Sequence, residues 1–193
     1  MERLGKINKV DIYYLHWDDP KRDYYLEWLP DKIYVLFVIG DDANRMEDYK
    51  KMTEFFISKN VFEVYLVGKD ETTIYRIYKD RIFKKEEDEG RGYPHPKFLE
   101  GATWTSTNDN FDWGFWMTTE IYEFDPIDEI ICIDFTERKV RKYLKHITKL
   151  IRKGWLPRSN YKEFSVGIKP KEPIYDDEIK KPLKRSQRGF EKY

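Results

Sequence analysis

The sequence predicts an α/β protein with a three-layer, Rossmann-like open sheet that is mainly parallel, with flanking helices and an extended C-terminal tail. The main observation is a pair of continuous apolar runs of strand length, IYVLFVI at residues 33–39 and VFEVYLV at residues 61–67. Runs that are apolar on both faces are typical of parallel strands covered on both sides. A segment with helical periodicity separates them, so we expect a βαβ unit with a right-handed crossover.

A strand at residues 10–15 and a short helix come before this unit. The strand sequence VDIYYL is rich in β-branched and aromatic residues, which favour extended structure. Asp19 followed by Pro20 is typical of the start of a helix, because proline fits the first helical position. Pro30 ends this helix, which includes Trp28.

The helix between the two apolar runs carries its own start and stop signals. Asn44 is placed to cap it, and Glu47, three residues later, completes a capping box. Asn60 is a suitable terminator directly before the second strand. The apolar residues of this helix recur at helical spacing and form one stripe, made of Met46, Tyr49, Met52, Phe55 and Phe56.

Three further segments follow the second apolar run. Asp70 can cap a helix from Glu71 to about residue 83, with Ile74, Ile77, Tyr78 and Ile82 on its inner face. The sequence TTIYRIYKDRIF within this segment also fits a strand. Residues 84–111 have no periodicity and many turn formers, which predicts a long surface loop. The sequence WGFWMT at residues 113–118 predicts a third central strand.

Residues 127–135, with the sequence IDEIICIDF, fit two structures. Their alternation and β-branching favour a strand. The preceding Asp125-Pro126 pair favours a helix, because it supplies a cap followed by proline. The helical reading also places Ile127, Ile130, Ile131 and Phe135 on one face.

An amphipathic helix is expected from Thr136 to about residue 153. Its apolar seam consists of Val140, Leu144, Ile147 and Ile151. Gly154 ends it. We therefore expect residues 1–154 to form a single α/β domain. Residues 155–193 contain four prolines and predict an extended tail that is basic and carries several tyrosines.

Short motifs in residues 29–135 resemble a family of small bacterial Rossmann-like α/β proteins, a domain of unknown function. The matching positions are Leu29-Pro30 before the first long strand, Asp41 after it, the turn Gly68-Lys69-Asp70 after the second strand, and Met117-Thr118-Thr119. Val67 and Glu120-Ile121 stand where that family has an aromatic residue and an aromatic–His pair. The resemblance implies a Rossmann-like fold and a helical segment at 126–135, and it implies no activity.

Polar residues follow the predicted central strands at the point where each one ends. These candidate site residues, here called the acidic rim, are Asp41, Asp42, Lys69, Asp70, Thr118, Thr119 and Glu120. Ligands of open α/β sheets bind at the carboxyl ends of the strands. Carboxylate and hydroxyl oxygens could hold Mg²⁺ with a bound phosphate, and Lys69 could neutralise charge. The alternative is structural, because Asp41 and Asp70 are also expected to cap helices.

The formal net charge of zero hides an uneven distribution along the chain. Residues 1–136 carry 18 basic and 29 acidic side chains, whereas residues 137–193 carry 18 basic and 7 acidic ones. The basic side chains on the outer side of the last helix are Arg138, Arg141, Lys142, Lys145, Lys149 and Arg152. Such a segment is typical of a region that meets an anion, which could be nucleic acid, an acidic protein or the acidic body of the same chain.

Several classes of protein are excluded by absent motifs. The chain has no G-x-G-x-x-G or Walker-type phosphate loop, and its single cysteine excludes a disulfide framework and favours a reducing, cytoplasmic location. No apolar run is long enough to predict a membrane span. We therefore expect a non-enzymatic protein-interaction domain, such as an inhibitor, an immunity-type protein or an assembly subunit, that binds a protein partner or itself and needs no cofactor. The alternatives are a Mg²⁺-dependent phosphate- or nucleotide-directed enzyme that uses the acidic rim, and a nucleic-acid binder that uses the basic C-terminal region.

Overall fold

The computed structural model describes residues 1–29, 32, 34–41, 43–59, 61–88, 104–108, 110–120, 127–136 and 140–157. Its strands are β1 (Glu2–Ile7), β2 (Val10–His16), β3 (Tyr34–Ile39), β4 (Val61–Val67), β5 (Trp104–Asn108) and β6 (Glu129–Asp134). Its helices are α1 (Arg22–Glu27), α2 (Met46–Ile57), α3 (Glu71–Asp88), α4 (Phe111–Glu120) and α5 (Val140–Arg152), and a short 3₁₀ turn (Ala43–Arg45) precedes α2.

These strands form one mixed sheet in the order β1-β2-β6-β3-β4-β5. All neighbouring pairs are parallel except β1 and β2, which make an antiparallel hairpin at one edge. Asn8 and Lys9 turn this hairpin with positive φ angles of 51° and 77°, as a two-residue turn of the primed type requires. The predicted α/β class and the mainly parallel sheet are confirmed.

The predicted βαβ unit is present. β3 and β4 are parallel neighbours, with Leu36 opposite Val64, and α2 connects them. Every residue of β3 is buried, because the strand lies inside the sheet and has apolar groups on both of its faces. The predicted stripe of α2 supplies the buried residues Tyr49, Met52 and Phe56, whereas Met46 is exposed.

Residues 129–134 form the strand β6, so the helix implied by the family resemblance is wrong. β6 lies between β2 and β3, and all of its residues are buried. A strand in that position has both faces covered, and the β-branched residues Ile130, Ile131 and Ile133 suit it. This burial outweighs the local preference for a helix.

The predicted third central strand at residues 113–118 is also wrong, because this segment lies in α4. Asn110 starts the helix: its side-chain Oδ1 accepts the Trp113 backbone N–H at 3.0 Å, and its carbonyl accepts that of Gly114 at 2.8 Å. Phe115 packs edge-on against Phe37 of β3 with ring centroids 5.2 Å apart. A helix covered by the sheet is apolar on most of its surface and resembles a buried strand in sequence.

The predicted long loop at 84–111 is wrong in part. α3 continues to Asp88, β5 occupies 104–108, and α4 begins at Phe111. β1 was not predicted, because its sequence ERLGKI has two buried positions, Leu4 and Ile7, and a register shift between Arg3 and Gly5 that interrupts the alternation. The predicted tail lies outside the described residues from residue 158 onward.

Two groups of buried apolar residues lie on the two faces of the sheet. Side chains of β3 alternate between them, with Phe37 in one group and Leu36 in the other. The first group includes Phe115 of α4 and Leu144 of α5, and the second includes residues of α1, α2 and α3. Helices therefore pack on both faces. Within the described ranges, no helix is both long enough and apolar enough to cross a lipid bilayer.

Candidate functional site

The carboxyl ends of the five parallel strands meet at one edge of the sheet, here called the carboxyl edge. The chain leaves β3 for α2 on one face and leaves its neighbour β6 for α5 on the other. Ligands of open α/β sheets bind where two neighbouring strands diverge in this way. The region between Gly40-Asp41 and Phe135-Thr136 is therefore the first place to look for a site.

Part of the predicted acidic rim is found at this edge. Lys69 Nζ lies 3.9 Å from Asp41 Oδ1, and the Asp70 backbone N–H donates to the Gly40 carbonyl at 3.2 Å. The Asp70 side chain is buried and accepts a 3.1 Å hydrogen bond from the Tyr49 hydroxyl. These contacts connect the ends of β3 and β4 to α2. Asp42 lies outside the described residues.

Two glycines allow the ends of β3 and β4 to approach each other so closely. Gly68 has a φ of +100°, and a Cβ there would lie 2.2 Å from the Gly40 carbonyl oxygen. A Cβ on Gly40 would lie 2.4 Å from Ile74 Cδ1. The two turns are therefore packed against each other and against α3, which leaves no room for a ligand between them.

The remaining predicted rim residues are not at the carboxyl edge. Thr118, Thr119 and Glu120 end α4, which begins near the end of β5 and returns over a length of about 14 Å toward the amino ends of the strands. All three are buried. The Thr118 hydroxyl donates to the Gly114 carbonyl and the Thr119 hydroxyl to the Trp116 carbonyl, both at 2.7 Å. Both hydroxyls are thus hydrogen-bonded to backbone carbonyls of α4 itself.

The described residues hold no group of three or more His, Cys, Asp or Glu side chains arranged to bind a metal ion. Of the acidic rim, the described residues bring Asp41, Lys69 and Asp70 together at the carboxyl edge. Lys69 is close to Asp41, and Tyr49 is bonded to Asp70. This arrangement joins the two turns to each other. It does not suit Mg²⁺, which needs several oxygen ligands directed at it.

The sequence reasoning missed a buried polar cluster at the ends of β2 and β6. Asp134 ends β6 and is completely buried. Its Oδ2 accepts the Tyr14 hydroxyl at 2.6 Å, and its Oδ1 accepts the Thr136 backbone N–H at 2.8 Å and the Thr136 hydroxyl at 2.7 Å. Burial raises the pKa of Asp134, and these hydrogen bonds lower it in part. The strand reading of residues 127–135 would have placed Asp134 at this edge.

His16 extends this cluster. The Asp18 backbone N–H donates to His16 Nδ1 at 3.1 Å, so that nitrogen carries no proton. Nε2 therefore carries the proton and donates it to the Thr136 carbonyl at 2.7 Å. Both ring nitrogens are engaged with backbone groups, and the ring connects the end of β2 to the segment that follows β6.

Arg45 is the third polar connection at the carboxyl edge. Its two terminal nitrogens donate to the two carboxylate oxygens of Asp18, and its Nε donates to Asp48 at 3.1 Å. Nη1 also donates to the Phe135 carbonyl at 2.9 Å, and the guanidinium lies 5.4 Å from the centre of the Phe135 ring. The guanidinium beside Asp18 lowers the pKa of that carboxyl. This side chain fastens the β2–α1 connection to α2 and to the end of β6.

The polar groups described at the carboxyl edge therefore connect elements of the fold to each other. Asp134 accepts three hydrogen bonds, both nitrogens of His16 are used, and Arg45 faces two carboxylates and a carbonyl. A catalytic acid, base or nucleophile needs access to the reacting atoms. Cys132 does not provide an accessible nucleophile either, because it is completely buried and burial raises the pKa of its thiol.

Large apolar side chains are exposed at a different place, on α1 and at Trp28, the residue that directly follows it. Tyr24 is 61% exposed and Trp28 69% exposed, and their ring centroids are 6.3 Å apart. They are one helical turn apart, because the Trp28 backbone N–H donates to the Tyr24 carbonyl. Tyr25 and Leu26 anchor the other side of α1 in the core. We call Tyr24 and Trp28 the aromatic pair.

The predicted basic side chains on the last helix are found on one exposed face of α5. This basic face consists of Arg141, Lys142, Lys145, Lys149 and Arg152. The helix buries Leu144, Ile147 and Ile151 on its opposite side, and it contains no acidic residue. Arg141 and Lys145 contact Glu2 of β1 at 2.6 and 3.5 Å. Arg138 lies outside the described residues.

Comparison with known proteins found no family model that matches the chain and no significant match to a curated protein or a solved structure. The resemblance of residues 29–135 to a bacterial family stays a prediction.

Proposed function

We propose that this chain is a non-enzymatic protein-interaction domain that contacts its partner through the aromatic pair on α1. The observation that carries the proposal is the exposure of Trp28 and Tyr24 side by side. Among the other large apolar side chains of the described residues only Met46 is exposed, and the rest are buried or half-buried. Trp and Tyr are enriched at protein interfaces and often dominate the binding energy. Burying both rings gives about 3–6 kcal/mol before the costs of association.

The surroundings of the aromatic pair define the chemistry of the partner. Asp23 and Glu27 lie beside the pair on α1 and are exposed; the Asp23 side chain is 83% exposed and accepts a 2.7 Å hydrogen bond from Arg22 Nε. A partner that pairs with this surface has an apolar cleft with basic residues at its border. A second copy of the chain fits less well, because a two-fold contact through α1 places the same acidic side chains opposite each other.

The proposal gives the acidic rim a structural role instead of a catalytic one. This assignment is supported by the contacts of Lys69 with Asp41 and of Tyr49 with Asp70. We also propose a three-layer, Rossmann-like arrangement for the domain, which the distribution of helices on both faces of the sheet supports. The single, completely buried Cys132 supports a cytoplasmic location.

Site-specific photo-crosslinking in cells tests the contact surface. A photoreactive phenylalanine analogue at position 28 is expected to form adducts with one heterologous protein. The matched control carries the analogue at position 84, where the exposed Lys84 lies on α3. The identified partner is then purified, and its affinity is measured for the unmodified chain and for the double variant Tyr24→Ser/Trp28→Ser.

We expect the double variant to weaken binding at least about a hundredfold, since loss of two central aromatic contacts removes more than about 3 kcal/mol. Raising the salt concentration is expected to lower the affinity of the unmodified chain, because the proposed partner places basic groups opposite the exposed Asp23 and Glu27. Adducts that form equally well from both positions, or an affinity that the double variant leaves unchanged, would contradict the proposal. Adducts consisting only of the chain with itself would replace it with self-association.

A further inference from the structure

The basic face of α5 is a row of five cationic side chains on a helix that contains no acidic residue. Its five side chains fall within about 100° of the helix circumference and extend over about 17 Å. Surface helices commonly carry both signs of charge, which support each other at a spacing of three or four residues. α5 has basic side chains at such spacings and no acidic one, so its exposed face attracts anions along its whole length.

The acidic body of the chain does not neutralise this face in the part that the structure describes. Glu2 contacts Arg141 and Lys145, and those contacts are between half-exposed groups, which makes them weak. No ion pair is recorded between a described residue and Lys142, Lys149 or Arg152. Three cations in a row thus remain available to an external anion.

We propose that the basic face of α5 binds the phosphate backbone of duplex nucleic acid without sequence specificity. A row of cations along a helix matches a regular row of phosphates. The basic face of α5 carries no Phe, Tyr or Trp. Tyr143 is half-buried and its hydroxyl is bonded to Asp112 at 2.5 Å, and the exposed ring of His146 lies about 40° beyond the basic face on the helix circumference. Single strands are bound by stacking of bases on aromatic rings, which this face does not offer.

The packing of α5 argues against a membrane surface. A helix that binds lipid inserts its apolar side between the headgroups. In α5 that side is covered by the sheet, where Leu144 and Ile147 are completely buried. An acidic protein is also a poorer fit, because lysine is depleted at protein interfaces. The aromatic pair and the basic face lie on helices at opposite faces of the sheet, so this inference is independent of the proposed protein contact.

Fluorescence anisotropy with a labelled DNA duplex of mixed sequence tests the inference on the full chain. We expect binding at low salt, and we expect a fourfold rise in salt to weaken it on the order of a hundredfold, if four phosphates are neutralised. The triple variant Lys142→Glu/Lys149→Glu/Arg152→Glu is expected to lose more than about thirtyfold in affinity and to show a salt dependence reduced by about three phosphate contacts.

The matched control is Lys51→Glu/Arg76→Glu/Lys84→Glu, which changes the net charge equally on exposed positions of α2 and α3. It is expected to bind within about threefold of the unmodified chain. The thermal midpoints of both variants verify that they fold. No binding of the duplex at low salt, equal losses in the two variants, or α5-dependent binding of anionic phosphatidylserine vesicles without binding of the duplex would overturn the inference.

Discussion

Tyr14 and Asp134 lie near the carboxyl ends of the adjacent strands β2 and β6, and the Tyr14 hydroxyl donates a 2.6 Å hydrogen bond to the buried carboxylate of Asp134. The carboxylate needs this bond, because burial disfavours its charged form and raises its pKa. The free-energy cost of burying the Asp134 carboxylate is thus offset by the hydrogen-bond donors around it. This hydrogen bond therefore predicts how the stability of the fold depends on pH.

The variant Tyr14→Phe is expected to lower the free energy of unfolding by about 1–3 kcal/mol at neutral pH, since it removes one donor from a buried acceptor. The pKa of Asp134 is raised in the folded chain, so the folded state loses stability as pH rises through the interval between its unfolded and folded values. Removing the donor raises that pKa further. The loss caused by the substitution is therefore larger at neutral pH than in acid.

Urea unfolding at several pH values measures this effect. Tyr13→Phe is the control, because it removes a hydroxyl from a half-buried side chain of the same strand. A loss of stability that does not depend on pH would show that the Tyr14 hydroxyl does not act through the charge of Asp134.

Arg45 connects three segments, so its removal is expected to loosen the carboxyl edge. Arg45→Ala leaves Asp18 and Asp48 without their shared cation and is expected to cost about 2 kcal/mol in unfolding free energy. Arg45→Lys keeps the charge but cannot reproduce the forked contacts, so we expect about half of that loss. Unfolding monitored by tryptophan fluorescence measures this loss, because the Trp17 ring packs against Phe135, whose carbonyl accepts a hydrogen bond from Arg45.

The pH dependence separates the charge of Arg45 from its packing. Arg45 lowers the pKa of Asp18 in the folded chain, so this pair stabilises the fold above the unfolded pKa of Asp18 and the stabilisation disappears as pH falls through the lower, folded value. Arg45→Ala is therefore expected to reduce the difference in stability between neutral and acid conditions. A difference that is as large as in the unmodified chain would contradict an ionic role of the pair.

Gly68→Ala is expected to be among the most damaging small substitutions. The residue has a φ of +100°, and the added Cβ would lie 2.2 Å from a backbone oxygen of Gly40 that cannot move aside on its own. We expect a loss of more than about 3 kcal/mol. Gly5→Ala is the control, because its Cβ would meet only a methyl group of Thr148 at 3.1 Å, and a loss below about 1 kcal/mol is expected there. Equal losses in thermal stability would disprove the close approach of the two turns.

The parts of the fold that could be predicted are those in which local pattern and final environment agree. β3, β4 and α2 were predicted because continuous apolar runs and a helical stripe fit the places these segments take in the sheet. α5 was predicted for the same reason, with a buried seam and a charged outer face. The errors fall on α4 and β6, which are buried so completely that periodicity no longer distinguishes a helix from a strand.

The candidate site was predicted less well, for a related reason. The sequence of α4 predicts a strand, which would place Thr118, Thr119 and Glu120 at the carboxyl edge, whereas the helix leads away from that edge. Asp134 is not among the predicted site residues because it ends β6, a segment for which the family resemblance implies a helix. Long-range pairing decides which strand ends meet, and the exposure of Trp28 depends on the angle at which α1 packs. Neither is encoded in local spacing.

Cys132 gives a direct measure of how rigid the centre of the sheet is. It is the only cysteine of the chain, it is completely buried in β6, and burial raises the pKa of its thiol. Its side chain lies in the apolar group that α4 and α5 cover, so a thiol reagent can reach it only when this core opens. We therefore expect labelling in native buffer to be slower than in urea by several orders of magnitude and to have an opening free energy equal to that of global unfolding. A Cys132→Ser variant carrying Lys84→Cys on the exposed surface of α3 is the control and should be labelled at the rate of a free thiol. Rapid labelling of Cys132 in the native chain would mean that α4 or α5 separates locally from the sheet, and it would contradict a core that opens only by global unfolding.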